Sequence, residues 1–152
     1  ARMVDSLLII LRPSPEEVPG YKGASWAKMP TDMLEDAVLR ALEDSGKIPA
    51  VARQGSGIAA DYKLVMDLRR FESDYGGGAT PNATIEVNAK LLHSAGPDVV
   101  ASRTFVQSVP ANSTAVADVV AAFNRGIGQV AHDVAGWTLV TGDQHQRMGH
   151  KK

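Results

Sequence analysis

Val99-Val100-Ala101-Ser102-Arg103-Thr104-Phe105-Val106, then the turn Pro110-Ala111-Asn112, then Val116 through Trp137, is the stretch that decides the fold. It reads as a strand, a tight turn and a long amphipathic helix. From Val116 the large apolar residues fall at Val116, Val119, Val120, Phe123, Ile127, Val130, Val134 and Trp137. That spacing of three and four defines one helix face over about six turns. Asp118, Asn124, Arg125, Gln129, His132 and Asp133 take the other face. A helix with one apolar stripe has to cover something, and the large apolar surface on offer is the chain's own strands.

The chain of 152 residues is long enough for one domain with a substantial core. It is 44% hydrophobic and 22% charged, as in ordinary globular domains. A net charge of -1 gives no electrostatic case for nucleic acid. With no cysteine, disulfides, thiolate metal sites and cysteine nucleophiles are excluded. Leu7–Leu11 is the longest apolar run, far short of the ~18 residues of a membrane span. No basic-then-apolar leader precedes it, and Ala1 is not an initiator Met, as expected of a trimmed or mature fragment.

Ser6–Leu11 reads as a short strand buried on both faces, stopped by Arg12-Pro13-Ser14-Pro15. A loop to Met29 carries Tyr21 and Trp26. The first helix starts at Pro30, presents Leu34, Ala37, Val38, Ala41 and Leu42, and closes at Gly46. Lys47–Arg53, weakened by Pro49, is an edge-strand candidate. Asp61–Phe71 alternates, with Tyr62, Leu64, Met66 and Leu68 on one side; Phe71 breaks parity and predicts a bulge near Arg69-Arg70. Tyr75-Gly76-Gly77-Gly78 is a hairpin tip, and Thr84–Leu92 alternates again, setting Ile85, Val87, Ala89 and Leu91 inward. The order β-α-β-β-β-β-α predicts an α+β two-layer sandwich: a mostly antiparallel sheet of about five strands covered by two helices. Residues 1–140 form this single domain, and 141–152 read as a polar tail that frays.

Each chemical signal has a plainer reading. His93, His132, His145 and His150 lack the rigid, closely spaced ligand set of a metal site and read as solvated. Asp32, Glu35, Asp36 and Glu43 read as the wet face of the first helix. Gly55-Ser56-Gly57 and Gly76-Gly77-Gly78 lack the Lys-Ser or Lys-Thr of a phosphate loop. Asn112 or Ser113 reads as the cap of the long helix. Gly126 and Gly128 each cost roughly 1 kcal/mol inside a helix, which predicts close approach to the sheet or to another chain, with a hinge as the alternative. Tyr21, Trp26 and Tyr75 are the residues most suited to a contact surface, as partner or lipid contacts, although Trp26 as a core plug is equally consistent.

Trp26-Ala27-Lys28-Met29-Pro30 with Met33-Leu34 and the helix end Ser45-Gly46, Ala60-Asp61-Tyr62-Lys63-Leu64 with Asp67-Leu68 and Phe71-Glu72, and Val100–Phe105 with Val109-Pro110-Ala111, Val119–Phe123 and Val134–Trp137 occur in a familiar order. Over roughly Leu7–Trp137 the chain resembles the ABC-type transport auxiliary lipoprotein family, partners of MCE-type lipid transport systems in Gram-negative bacteria. That resemblance implies a non-enzymatic accessory domain without cofactors, held in the periplasm at a membrane, most simply the outer membrane, by an N-terminal lipid anchor that this chain lacks. It implies an MCE-domain protein or other transporter subunit as partner and phospholipid or another hydrophobic compound as passenger. Residue roles do not carry over. The alternatives are a self-associating, homo-oligomeric structural or assembly module of the envelope with no lipid handling, and a small enzyme assembled from scattered Asp, His and Ser.

Overall fold

The computed structural model describes residues 3–10, 29–48, 50–53, 61–93 and 98–149. Tyr21, Trp26, the phosphate-loop candidate at 55–57 and His150 lie outside them. In chain order the elements are β1 (Met3–Ile10), α1 (Pro30–Asp44), β2 (Ala50–Arg53), β3 (Tyr62–Asp74), β4 (Asn82–His93), β5 (Val99–Pro110) and α2 (Val116–Gly149). The strands form one five-stranded sheet in the order β2-β1-β3-β4-β5, with every neighbouring pair antiparallel. Both helices lie against this sheet, α1 on β1 and β2, α2 on β4 and β5, and they also touch each other. This is the expected two-layer α+β sandwich.

The alternation in β3 and β4 does what a period of two requires. Tyr62, Leu64, Met66 and Leu68 are buried beside Ile85, Val87, Ala89 and Leu91, in the registers Leu64↔Leu91, Met66↔Ala89 and Leu68↔Val87. The ladder slips between Leu68 and Arg70, the bulge that the parity break at Phe71 predicts. The extra residue returns Phe71 to the helix side, where its ring meets Phe123 of α2 at 4.6 Å between centroids. Short β2 sits at the sheet edge, as its proline-weakened sequence suggests.

Helix α1 begins with Pro30 at its first turn and ends where Gly46 takes φ +67°, a conformation that a glycine adopts without steric cost. Leu34, Val38 and Leu42 are fully buried. Glu35, expected in solvent, is only 6% exposed. It lies three and seven residues before Val38 and Leu42, so the helix turns it toward the packed side. The wet-face expectation fails similarly for Thr84 and Asn88, which are buried on the outer side of the sheet. There the Asn88 amide donates to Ser102 Oγ at 3.3 Å and Thr104 Oγ1 at 3.1 Å, so the group keeps its polar partners.

Helix α2 departs from its sequence reading in three ways. Val116 is 79% and Val120 50% exposed, although both belong to the predicted stripe. The rest of the stripe packs inward, with Ile127, Val130 and Val134 buried, and a buried line in steps of four runs Ala122, Gly126, Val130, Val134, Thr138. Steps of four overshoot a full turn by about 40°, so a buried line of that pitch winds around the helix and has left the valines behind at the N-terminal end. The helix lies along β4, with Gly126 against Ile85, Gly142 beside Leu91 and His145 beside His93. Secondly, it does not stop near residue 140 but continues to Gly149, in place of the polar tail expected from residue 141. Thirdly, Ser113 is not the cap itself. Its Oγ accepts from Ala115 N at 3.0 Å and donates to Asp118, two residues ahead of the position where Ala115 O receives the first helical amides.

The two interior glycines part company. A Cβ at Gly126 would stand 2.7 Å from Ile85 Cδ1 and 3.5 Å from Val109 Cγ2, so glycine lets α2 touch the sheet. A Cβ at Gly128 would meet nothing within 4 Å, and this glycine faces outward. Gly126→Val is therefore expected to lose about 1–3 kcal/mol through overpacking, whereas Gly128→Ala should gain up to about 1 kcal/mol of helix propensity. Chemical denaturation of the two variants checks the contrast; equal effects would remove the close-approach explanation.

Candidate functional site

Two concave regions border α2, and the same helix builds both. The first is the seam between α2 and β5. β5 ends the sheet, and among the described residues no strand pairs with its outer edge. Along the seam lie two shallow hollows of about 400 and 480 Å³ that share His132 and Asp133. Gly128 and Gly136, eight apart on the exposed side of α2, leave these hollows open, because neither position carries a side chain into them. The floor at one end is Phe105 set edge-on to Trp137 at 5.8 Å, with the Arg103 guanidinium 5.2 Å from the Phe105 centroid. Gln107 donates to Asp133 Oδ2 at 3.2 Å and ties the strand to the helix. Val106, on the opposite face of the same strand, is 52% exposed.

The second region is a cleft of about 470 Å³ where β3 begins, β4 ends and the last three turns of α2 pass over them. Ile48, Tyr62, Leu91, Leu139 and Val140 supply its apolar wall, and Lys47, Asp143, Gln144, Gln146 and Arg147 its polar rim. β-Pairing sets Tyr62 directly opposite His93, and the helix delivers His145 and Gln146 to the same place. Gln146 Nε2 donates to Tyr62 Oη at 2.8 Å. Tyr62 Oη also shares a hydrogen bond with His145 Nδ1 at 2.7 Å. The three rings stack at angles, with Tyr62–His93 at 5.2 Å, Tyr62–His145 at 5.5 Å and His93–His145 at 5.2 Å. The bonds to Tyr62 tie residues 138–148 to the sheet and support their helix against its modest propensity; Arg147 also pairs with Asp143 at 2.9 Å on the exposed side.

Sequence reasoning misses this cluster. His145 was expected in a solvated tail, remote from His93, and only the continuing helix brings the two rings together. The register Tyr62↔His93 alone was within reach of the hairpin pattern. Among the described residues no group of three or more His, Cys, Asp or Glu is placed to hold a metal ion, and no helix is long and apolar enough to cross a membrane. Of the predicted contact aromatics, Tyr75 sits half exposed at the β3–β4 tip, where its carbonyl accepts from Gly78 N at 2.8 Å. The length of β3 sets it at the far end of the sheet from the cleft, about 40 Å away. Tyr21 and Trp26 fall outside the described residues.

Burial pushes the Tyr62 phenol above its ordinary value; the Gln146 hydrogen bond pulls it back and the Asp61 carboxylate pushes it up again. The folded state thus holds this proton more tightly than the unfolded chain does. Its contribution to stability is complete below the unfolded value of about 10 and is lost as pH rises through the raised one. Thermal melts from neutral to strongly alkaline pH should show that loss, and Tyr62→Phe should flatten it while costing about 1 kcal/mol at neutral pH. An unchanged alkaline limb in the variant would assign the loss to another group.

Residues 1–135 match the protein-family model of the ABC-type transport auxiliary lipoprotein component. The crystal structure of protein XCC0632 from Xanthomonas campestris is similar at 56% sequence identity and a TM-score of 0.76, over 93% of this chain and 79% of that one. The crystal structure of a putative lipoprotein from Caulobacter crescentus shares the fold at 20% identity and a TM-score of 0.51, over 84% of this chain and 89% of that one. Protein bll6063 of Bradyrhizobium diazoefficiens is 28% identical over 122 residues, which is 80% of this chain but only 32% of the length of that curated relative. The chain belongs to the ABC-type transport auxiliary lipoprotein component family.

Proposed function

We propose that this domain is a non-enzymatic accessory component of an ABC/MCE-type transport system that moves phospholipid or another hydrophobic compound between membranes. It works in the periplasm, anchored to the outer membrane through a lipid on a segment ahead of the chain described here, and it docks on an MCE-domain protein or another transporter subunit. Family membership supports the transport setting. The observation that carries the docking mode is the β5 edge, unpaired among the described residues, beside a groove kept clear by Gly128 and Gly136.

An edge strand presents a row of unused amide and carbonyl groups, and an extended segment from a partner satisfies them by adding a sixth strand. Main-chain bonds supply affinity in this mode, while pockets for alternate side chains supply specificity. The seam offers such pockets, with an aromatic floor at Phe105 and Trp137 and polar groups at Arg103, His132 and Asp133. In this reading the loop aromatics Tyr21, Trp26 and Tyr75 make secondary contacts.

Affinity for a purified MCE-domain subunit tests it. Val106→Lys charges the edge, and Gly136→Gln fills the groove from a position where no neighbour lies within 4 Å of a Cβ. Each is expected to weaken binding roughly tenfold or more, or about 1.4 kcal/mol, while Gly136→Gln leaves thermal stability equal or higher. Unchanged affinity in both variants would sink the docking mode. If Val106→Lys instead splits a homo-oligomer and leaves partner affinity intact, the edge serves self-association, and the assembly-module reading replaces this one.

A further inference from the structure

The cleft at the other end of α2 has no part in strand docking, and the observations on it stand apart from that reading. One wall is apolar, made by Ile48 after α1, Leu91 at the end of β4 and Leu139 on α2. Its volume of about 470 Å³ falls in the range of small-ligand sites, roughly 300–1,000 Å³. The wall contributed by α2 comes from residues 138–147, beyond the part of the chain that the family model covers.

Gly142 is the second observation. It lies inside α2 without a positive φ, so its backbone does not call for glycine, and in a helix it costs about 1 kcal/mol relative to alanine. A Cβ there would meet only Leu91 Cδ2, at 3.9 Å. An alanine therefore fits, and what glycine preserves is the space that a longer side chain would occupy. The Tyr62 bonds to His145 and Gln146 hold the helix in place over that space, so the cleft is preformed.

The rim is the third. Its charged groups among the described lining residues are Lys47, Arg147 and Asp143. Arg147 engages Asp143 at 2.9 Å, and Lys47 stands exposed at the rim as a second cation. An apolar wall below a rim that carries these two cations is complementary to a molecule with one apolar chain and one negative head. We propose that this cleft binds a single-chain anionic amphiphile of the fatty-acid type, its tail against Ile48, Leu91 and Leu139 and its carboxylate toward Lys47 and Arg147.

Dodecanoate below its micellar concentration, titrated into the full chain and followed by amide NMR, tests the assignment. Saturable shifts are expected at Gly142, Gln144 and Gln146, and dodecyltrimethylammonium, with the same tail and a cationic head, should bind roughly tenfold more weakly. Gly142→Phe should abolish the shifts and Gly142→Ala preserve them. Lys47→Glu should weaken dodecanoate roughly tenfold without altering the melt, which keeps the test decisive should Gly142→Phe fail to fold. Absence of saturable shifts at the cleft, equal binding of the two head groups, or indifference to both Gly142→Phe and Lys47→Glu would each overturn the proposal. None of these readouts depends on the β5 edge, so failure here and failure of partner docking are separable.

Discussion

The contact of Ile85 with the bare backbone of α2 at Gly126 sets the rest of this structure. With 2.7 Å between Ile85 Cδ1 and the place of a Cβ, no other residue type lets the helix come as close without displacing a core side chain. That approach brings Val130 and Val134 down onto the sheet and lets Phe123 meet Phe71. One part of the helix overlies β4 and β5 and leaves a seam at the β5 edge, while the C-terminal part runs out over the start of β3. Both concave regions follow from a single packing decision.

Four of the five glycines in α2 serve three purposes. Gly126 admits the sheet; Gly128 and Gly136 keep the seam open; Gly142 keeps the cleft open. Each lowers helix propensity, so a helix carrying all four needs tertiary support. The support comes from buried Val130 and Val134 in the middle and from the Tyr62 hydroxyl at the end. The seam and the cleft thus share one rigid element, whose glycines keep both recesses clear.

The core was legible in advance wherever one face of an element is buried against one neighbour. In β3 and β4 the period of two names Tyr62, Leu64, Met66 and Leu68, and Ile85, Val87, Ala89 and Leu91, and all eight are buried. The parity break at Phe71 located the bulge, and Pro30 and Gly46 bounded α1. The same reasoning failed where burial comes from the side or from an end. Asn88 and Thr84 are covered by cross-strand neighbours, and Glu35 by its place between the turns that carry Val38 and Leu42.

The site was less legible. Gln144, His145, Gln146 and Arg147 read as a polar tail because a helix whose apolar stripe has ended shows no period, and the surface it lies on includes Tyr62 and Leu91, some fifty to eighty positions earlier. The elements, their order and most of the inward side chains follow from local pattern, because hydrophobic period and backbone chemistry act between near neighbours in the chain. The path of α2, the separate uses of its glycines and the meeting of His93 with His145 come only with folding, because they depend on where residues far apart in the chain touch.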